Sequence, residues 1–257
     1  MGQQASAATT RVAIEIGHTP YASALSIFGC PIRCTNVRSL RTDQQRTLWH
    51  VTPVPAACHA DIRPRQVLGD HRAGLLPADH MFRDALRGIA NRRALRKWRA
   101  TGEPQRLGEQ CPGRWIYGDG PAAADDGTGL VRVEGEDLAA ALGAMGCPAV
   151  RPEAGGCWIV RERGLPQGGT DGGRRASASA LCLGLETGRL REVEPNHPFL
   201  CSWQGAVNHR HLVSIARQGI ELLLVESPVP RCPHHAYMPT DAPGKAWDRC
   251  RRFLLGR

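Results

Sequence analysis

Residues 79–100, DHMFRDALRGIANRRALRKWRA, form the longest helical pattern in the chain, and the pattern changes character halfway along. Met81, Phe82, Ala85, Leu86 and Ile89 share one face at helical spacing, which predicts a core-packed helix capped by Asp79. Arg92, Arg93, Arg96 and Arg99 then enter the same angular sector, since each residue of a helix advances about 100°. One straight amphipathic helix cannot bury its first half and solvate its second on the same side. The sequence therefore predicts either a helix that stops near Gly88–Asn91 or a second half that leaves the body as a basic arm.

The apolar supply limits the alternatives. Leu, Val, Ile and Phe number 24, 14, 10 and 4, or 52 of 257 residues. That is roughly the one-fifth level at which composition stops separating weakly folded chains from globular ones. Arginine outnumbers lysine 31 to 2, and Ala, Arg, Gly and Pro together supply 111 residues. All four have GC-rich codons, so base composition of the gene explains most of the arginine without any demand from binding.

Charge is uneven along the chain. Residues 1–120 carry 17 basic and 9 acidic groups, residues 121–196 carry 8 and 11, and residues 197–257 carry 8 and 4. A basic first half suits a polyanion partner, while an arginine-rich solvated surface is the plainer account. No stretch approaches the roughly 20 apolar residues of a membrane span. The N-terminus MGQQASAATTR lacks the apolar core of a secretory signal, which points to the cytoplasm, although Gly2 and Ser6 fit the myristoylation pattern. Ten cysteines without such a signal are expected to be thiols or metal ligands, and no pair has the C-x-x-C spacing of zinc ribbons and thioredoxin-like sites.

The organisation reads as α/β or irregular, and weakly specified. Residues 1–120 form a basic, Pro/Arg-rich region, with a short strand at 10–16 and loop or disorder through much of 30–77. Residues 121–163 read as a strand–helix–strand segment: a strand at 130–133, acidic Glu134, Glu136 and Asp137 at a helix start, and a strand from Cys157. Residues 164–175 are a Gly-rich linker. Residues 176–257 form a C-terminal α/β segment rich in Cys and His, whose best-formed unit is a helix–Gly–strand element at 208–226. There Asn208 would cap the helix, Gly219 end it, and IELLLV follow as a buried strand of a parallel unit.

Two groups of residues carry candidate chemistry. Arg92, Arg93, Arg96, Lys97 and Arg99 surround Trp98, a composition that would grip phosphates and stack on a base. Cys201, Cys232, His234, His235 and Cys250 are the candidate metal set, and zinc is the ion their chemistry would suit. Cys30 and Cys34 in FGCPIRCTNV stand like the first two thiols of an iron–sulfur loop, but the third position holds Val37 and leaves such a cluster a ligand short. No nucleophile elbow or phosphate-binding glycine loop is present, so the sequence leans away from an enzyme.

No specific function is readable from these residues. The leading expectation is a GC-biased reading frame without evolved activity. The alternatives are a basic nucleic-acid-binding protein working through residues 92–99, and a small α/β enzyme with a C-terminal zinc site.

Overall fold

A computed structural model describes residues 13–28, 30, 32–38, 45–52, 63–77, 80–105, 107, 129–162, 178–179, 181–182, 198–218 and 223–225. Gly2, the 164–175 segment, Cys232, His234, His235 and Cys250 lie outside the described residues. Two small antiparallel sheets, each backed by helices, make up the fold.

The first sheet holds β1 (Ile14–Ile16), β2 (Ile32–Arg38), β3 (Gln45–Val51) and β7 (Leu223–Val225), in the order β1-β3-β2-β7. Its alternation places two buried rows across the strands, Ile14–Val51–Ile32 and Ile16–Trp49–Cys34. Helix α1 (Thr19–Ser26) contributes Ala22 and Leu25 to the same core, and the Trp49 indole N–H donates to Thr19 Oγ1 at 3.1 Å. Residues 30–77, expected to be largely loop, thus supply β2, β3 and α2 (Pro64–Arg72). The alternation of Ile32 and Cys34 with Arg33 and Thr35 lasts only four residues before Asn36 and Val37 invert it, and Thr47 followed by Leu48 inverts it again in β3, so neither strand shows a sustained period of two in sequence.

The second sheet has the order β4-β6-β5, from β4 (Leu130–Glu134), β5 (Ala149–Pro152) and β6 (Cys157–Arg161). Between β4 and β5 runs α4 (Glu136–Ala144), entered through Gly135 at φ 85°, a turn that a side chain would strain. Val133, Ala149, Trp158 and Val160 pack in one core with Ala139, Ala140 and Ala141. Alanine methyls let helix and sheet approach closely, which is how a chain short of large aliphatics still fills a core.

Helix α3 (Met81–Thr101) neither stops nor leaves the body. It runs unbroken through 21 residues and keeps both halves in the body because it serves both cores. Phe82, Ala85, Leu86 and Ile89 bury in the first, Leu95 and Trp98 in the second. Arg92, the first of the arginines that spoiled the stripe, is accommodated by Asp137 at 2.6 Å, and Arg87 earlier in the helix pairs with Asp84 at 2.5 Å, all four side chains buried. The cap of this helix is His80, whose ring accepts from the Phe82 N–H, and Asp79, the expected cap, lies outside the described residues. It ends at Gly102 in the left-handed region, φ 73°.

Helix α5 (Pro198–Arg217) starts ten residues before Asn208. Pro198 is compatible with this because the first turn of a helix has no intrahelical N–H bond for proline to lose. Asn208 is therefore not a cap; its amide donates to Ser26 Oγ at 2.6 Å and ties α5 to α1. The expected parallel unit is also corrected, since β7 pairs with β2 antiparallel. The α/β character stands, but all the sheet pairing described is antiparallel.

Candidate functional site

Where α3, α4 and α5 meet, arginines from two helices surround the first turn of the third. Asp137 of α4 uses both carboxylate oxygens: Oδ1 accepts from Arg92 Nε at 2.6 Å and Oδ2 pairs with Arg210 Nη1 at 3.1 Å. Its neighbour Glu136 faces three guanidiniums at longer range, Arg99 at 3.3 Å and Arg92 and Arg96 each at 3.9 Å. Arg99 is anchored further by donating to the Cys157 carbonyl at 2.8 Å and lying over the Trp158 ring, 4.6 Å from its centroid.

His209 extends the cluster toward α1. Arg93 Nε donates to His209 Nε2 at 3.2 Å, which makes Nε2 the acceptor and leaves the ring proton on Nδ1. Nδ1 faces Ser23 Oγ at 3.5 Å, and that hydroxyl donates to the Thr19 carbonyl at 2.8 Å. Every donor in this relay has an acceptor. Burial, then the charges of Arg93, Arg92 and Arg96, hold the imidazole pKa down at about 3, so the ring is neutral at ordinary pH.

With His209 neutral, five guanidiniums (Arg92, Arg93, Arg96, Arg99, Arg210) face two carboxylates, and three positive charges go unmatched. The surplus sits toward water: Arg96 and Arg210 side chains are 46% and 59% exposed, and Arg93 and Lys97 are exposed beside them. This arrangement attracts anions. It is less suited to acid–base or nucleophilic chemistry, because Ser23 and His209 are buried and already bonded to Thr19 and Arg93.

The structure divides the residues expected to bind nucleic acid. Arg93, Arg96 and Lys97 reach solvent. Arg92 is buried as the partner of Asp137, and Arg99 is committed to Glu136 and Cys157. Trp98 is 5% exposed and packs on Trp158 with ring centroids 5.4 Å apart, so it offers no open face for stacking. Of the expected metal set only Cys201 is described, fully buried in α5, and no group of three or more metal-ligating side chains occurs among the described residues. The Cys34 thiol lies in the first core with its pKa raised by burial, which disfavours the reactive thiolate.

Sequence reading missed Glu136, Asp137, His209 and Arg210 as members of one site. The acidic pair was visible only as a favourable helix start. Its pairing with α3 residues 37 to 45 positions earlier in the chain leaves no local signal.

Among the described residues no helix is long and apolar enough to cross a membrane. No protein family matches the chain, and comparison with curated proteins and with solved structures finds no significant match.

Proposed function

We propose that this protein binds nucleic acid through its phosphates, on the exposed basic face that Arg93, Arg96 and Lys97 of α3 share with Arg210 of α5. The observation that carries the reading is the charge surplus: the buried carboxylate of Asp137 fixes Arg92 and Arg210, and the cations beyond those that Asp137 and Glu136 balance face water. Codon bias accounts for many arginines. It gives no reason for Asp137 to be seated between Arg92 and Arg210, or for His209 to be tautomerically fixed by Arg93.

An anionic membrane is the less fitting polyanion. Interfacial binding needs apolar side chains beside the cations. Among the described residues the large exposed hydrophobics are Leu75 and Leu130, neither on α3 nor α5. Contact with phosphates alone carries no sequence information, so the binding is non-specific.

Fluorescence anisotropy with a labelled mixed-sequence duplex, titrated across salt concentration, tests the reading. Four cations engaging phosphates give a slope of log K against log salt of about −3 to −4. Arg96→Ala and Arg210→Ala each flatten that slope by about one. Binding that ignores salt, or anionic vesicles bound in preference to the duplex, ends the proposal, and the reading of a chain shaped by base composition alone then stands.

A further inference from the structure

Asp137 and Glu136 are adjacent carboxylates in the same arginine cluster, yet they are held in very different ways. Asp137 has each oxygen against a separate guanidinium at 2.6 and 3.1 Å, with its side chain 9% exposed. Glu136 is 18% exposed and reaches Arg99 at 3.3 Å, while its separations from Arg92 and Arg96 are 3.9 Å. The second pair of distances is ion pairing without hydrogen bonds. Arg96 makes no closer polar contact among the described residues. Arg92 and Arg99 do not depend on Glu136 for their position, because Asp137 fixes one and the Cys157 carbonyl and Trp158 ring fix the other.

We infer that Glu136 is an internal competitor for phosphate: its carboxylate occupies the place beside Arg96 and Arg99 that a phosphate of the bound nucleic acid would take. The inference rests on the nucleic-acid reading above and adds a restraint to it. A carboxylate and a phosphate oxygen satisfy guanidinium donors in the same way, and a phosphate brings more acceptors and charge. A carboxylate pre-seated at the first turn of α4 is also favoured by that helix end, so the competitor is retained without covering ligand. Nucleic acid must displace it to engage Arg96 and Arg99 fully. Affinity is thereby held below what the cluster's arginines would give alone.

The test compares Glu136→Gln with Glu15→Gln in the salt-titrated duplex assay. Glu15 is exposed on β1 in the other sheet, so its replacement makes the same change in net charge away from the site. Glu136→Gln is expected to bind about three- to tenfold tighter than the wild type and to steepen the salt slope by about one, with Glu15→Gln near the wild type. If the wild type binds with the expected slope and the two variants behave alike, the competitor role is overturned and the nucleic-acid reading survives. If no variant binds, both fall. Glu136→Asp guards against a folding defect: its shorter carboxylate withdraws from Arg96 and Arg99, a smaller gain supports competition, and an unchanged or weakened affinity contradicts it.

Discussion

Gly88 of α3 lies directly against the backbone carbonyl of Ser202 in α5, so closely that a Cβ on Gly88 would overlap that carbonyl. The contact is reciprocal, since a Cβ on Gly205 would come within 2.6 Å of the Ala85 carbonyl oxygen. Ser202 Oγ donates to the Asp84 carbonyl at 2.8 Å across the same crossing. Alanine is the better helix former by about 1 kcal/mol, which on propensity alone would make Gly88→Ala stabilising. The clash is with backbone, which cannot turn aside, and overpacking of this kind costs about 1–3 kcal/mol or more. Sterics win, so Gly88→Ala is expected to lower the thermal midpoint clearly, and an unchanged or raised midpoint would show that the helices do not cross here.

Gly69 provides the opposite case. It lies inside α2 with no positive φ, and a methyl group there would meet nothing beyond its own turn of helix. With sterics absent, propensity decides: Gly69→Ala should stabilise by about 0.5–1 kcal/mol, measured by denaturant titration. The two glycines together test the placement of α2 and α3 with substitutions of identical chemistry and opposite expected sign.

Asp137 is the carboxylate on which the arginine cluster depends. Asp137→Asn removes the charge facing Arg92, whose side chain is only 8% exposed, while preserving shape. Arg92 is then left with Glu136 alone, 3.9 Å away, and breaking a buried pair in this way costs up to about 3–5 kcal/mol. Arg210→Ala removes the other partner of Asp137, but Arg210 is 59% exposed and its loss should cost under about 1 kcal/mol. Equilibrium unfolding of the two variants should therefore differ severalfold in effect. Similar values would mean that Arg92 is solvated.

The parts of this fold that could be read from sequence are those whose signal is local. The strand expected at 10–16 stands as β1, Ile14–Ile16, and the acidic start at Glu136 and Asp137 marked the first turn of α4. The second half of α3 was opaque because Arg92 satisfies its charge with Asp137, 45 residues away, so a buried residue looked like a solvated one. The surroundings of Trp98 were hidden for the same reason: cations flank it in sequence, whereas in space it meets Trp158. In α5 the polar residues Gln204, Asn208 and His209 are buried, Asn208 against α1 and His209 against α3, and this obscured the helical period before Leu212. The site is a junction of three helices, and junctions have no signature along the chain.

Acid should unfold this protein partly through His209. The ring is buried with its pKa lowered from the ordinary 6.5 to about 3 by burial and by Arg93, Arg92 and Arg96, while Asp137 and Glu136 also border the cluster. Between those values the unfolded chain binds a proton that the folded chain does not. Stability from the neutral ring is therefore complete above about pH 6.5 and declines as pH falls toward 3. Each pH unit in that window corresponds to about 1.4 kcal/mol, so the contribution lost between pH 6.5 and pH 5 is about 2 kcal/mol. His209→Gln keeps an acceptor for Arg93 but cannot ionise. Denaturant titrations at both pH values should show the wild type losing about 2 kcal/mol more than the variant on acidification. Equal losses would place the imidazole in water, away from the three arginines, and the cluster geometry would fail with it.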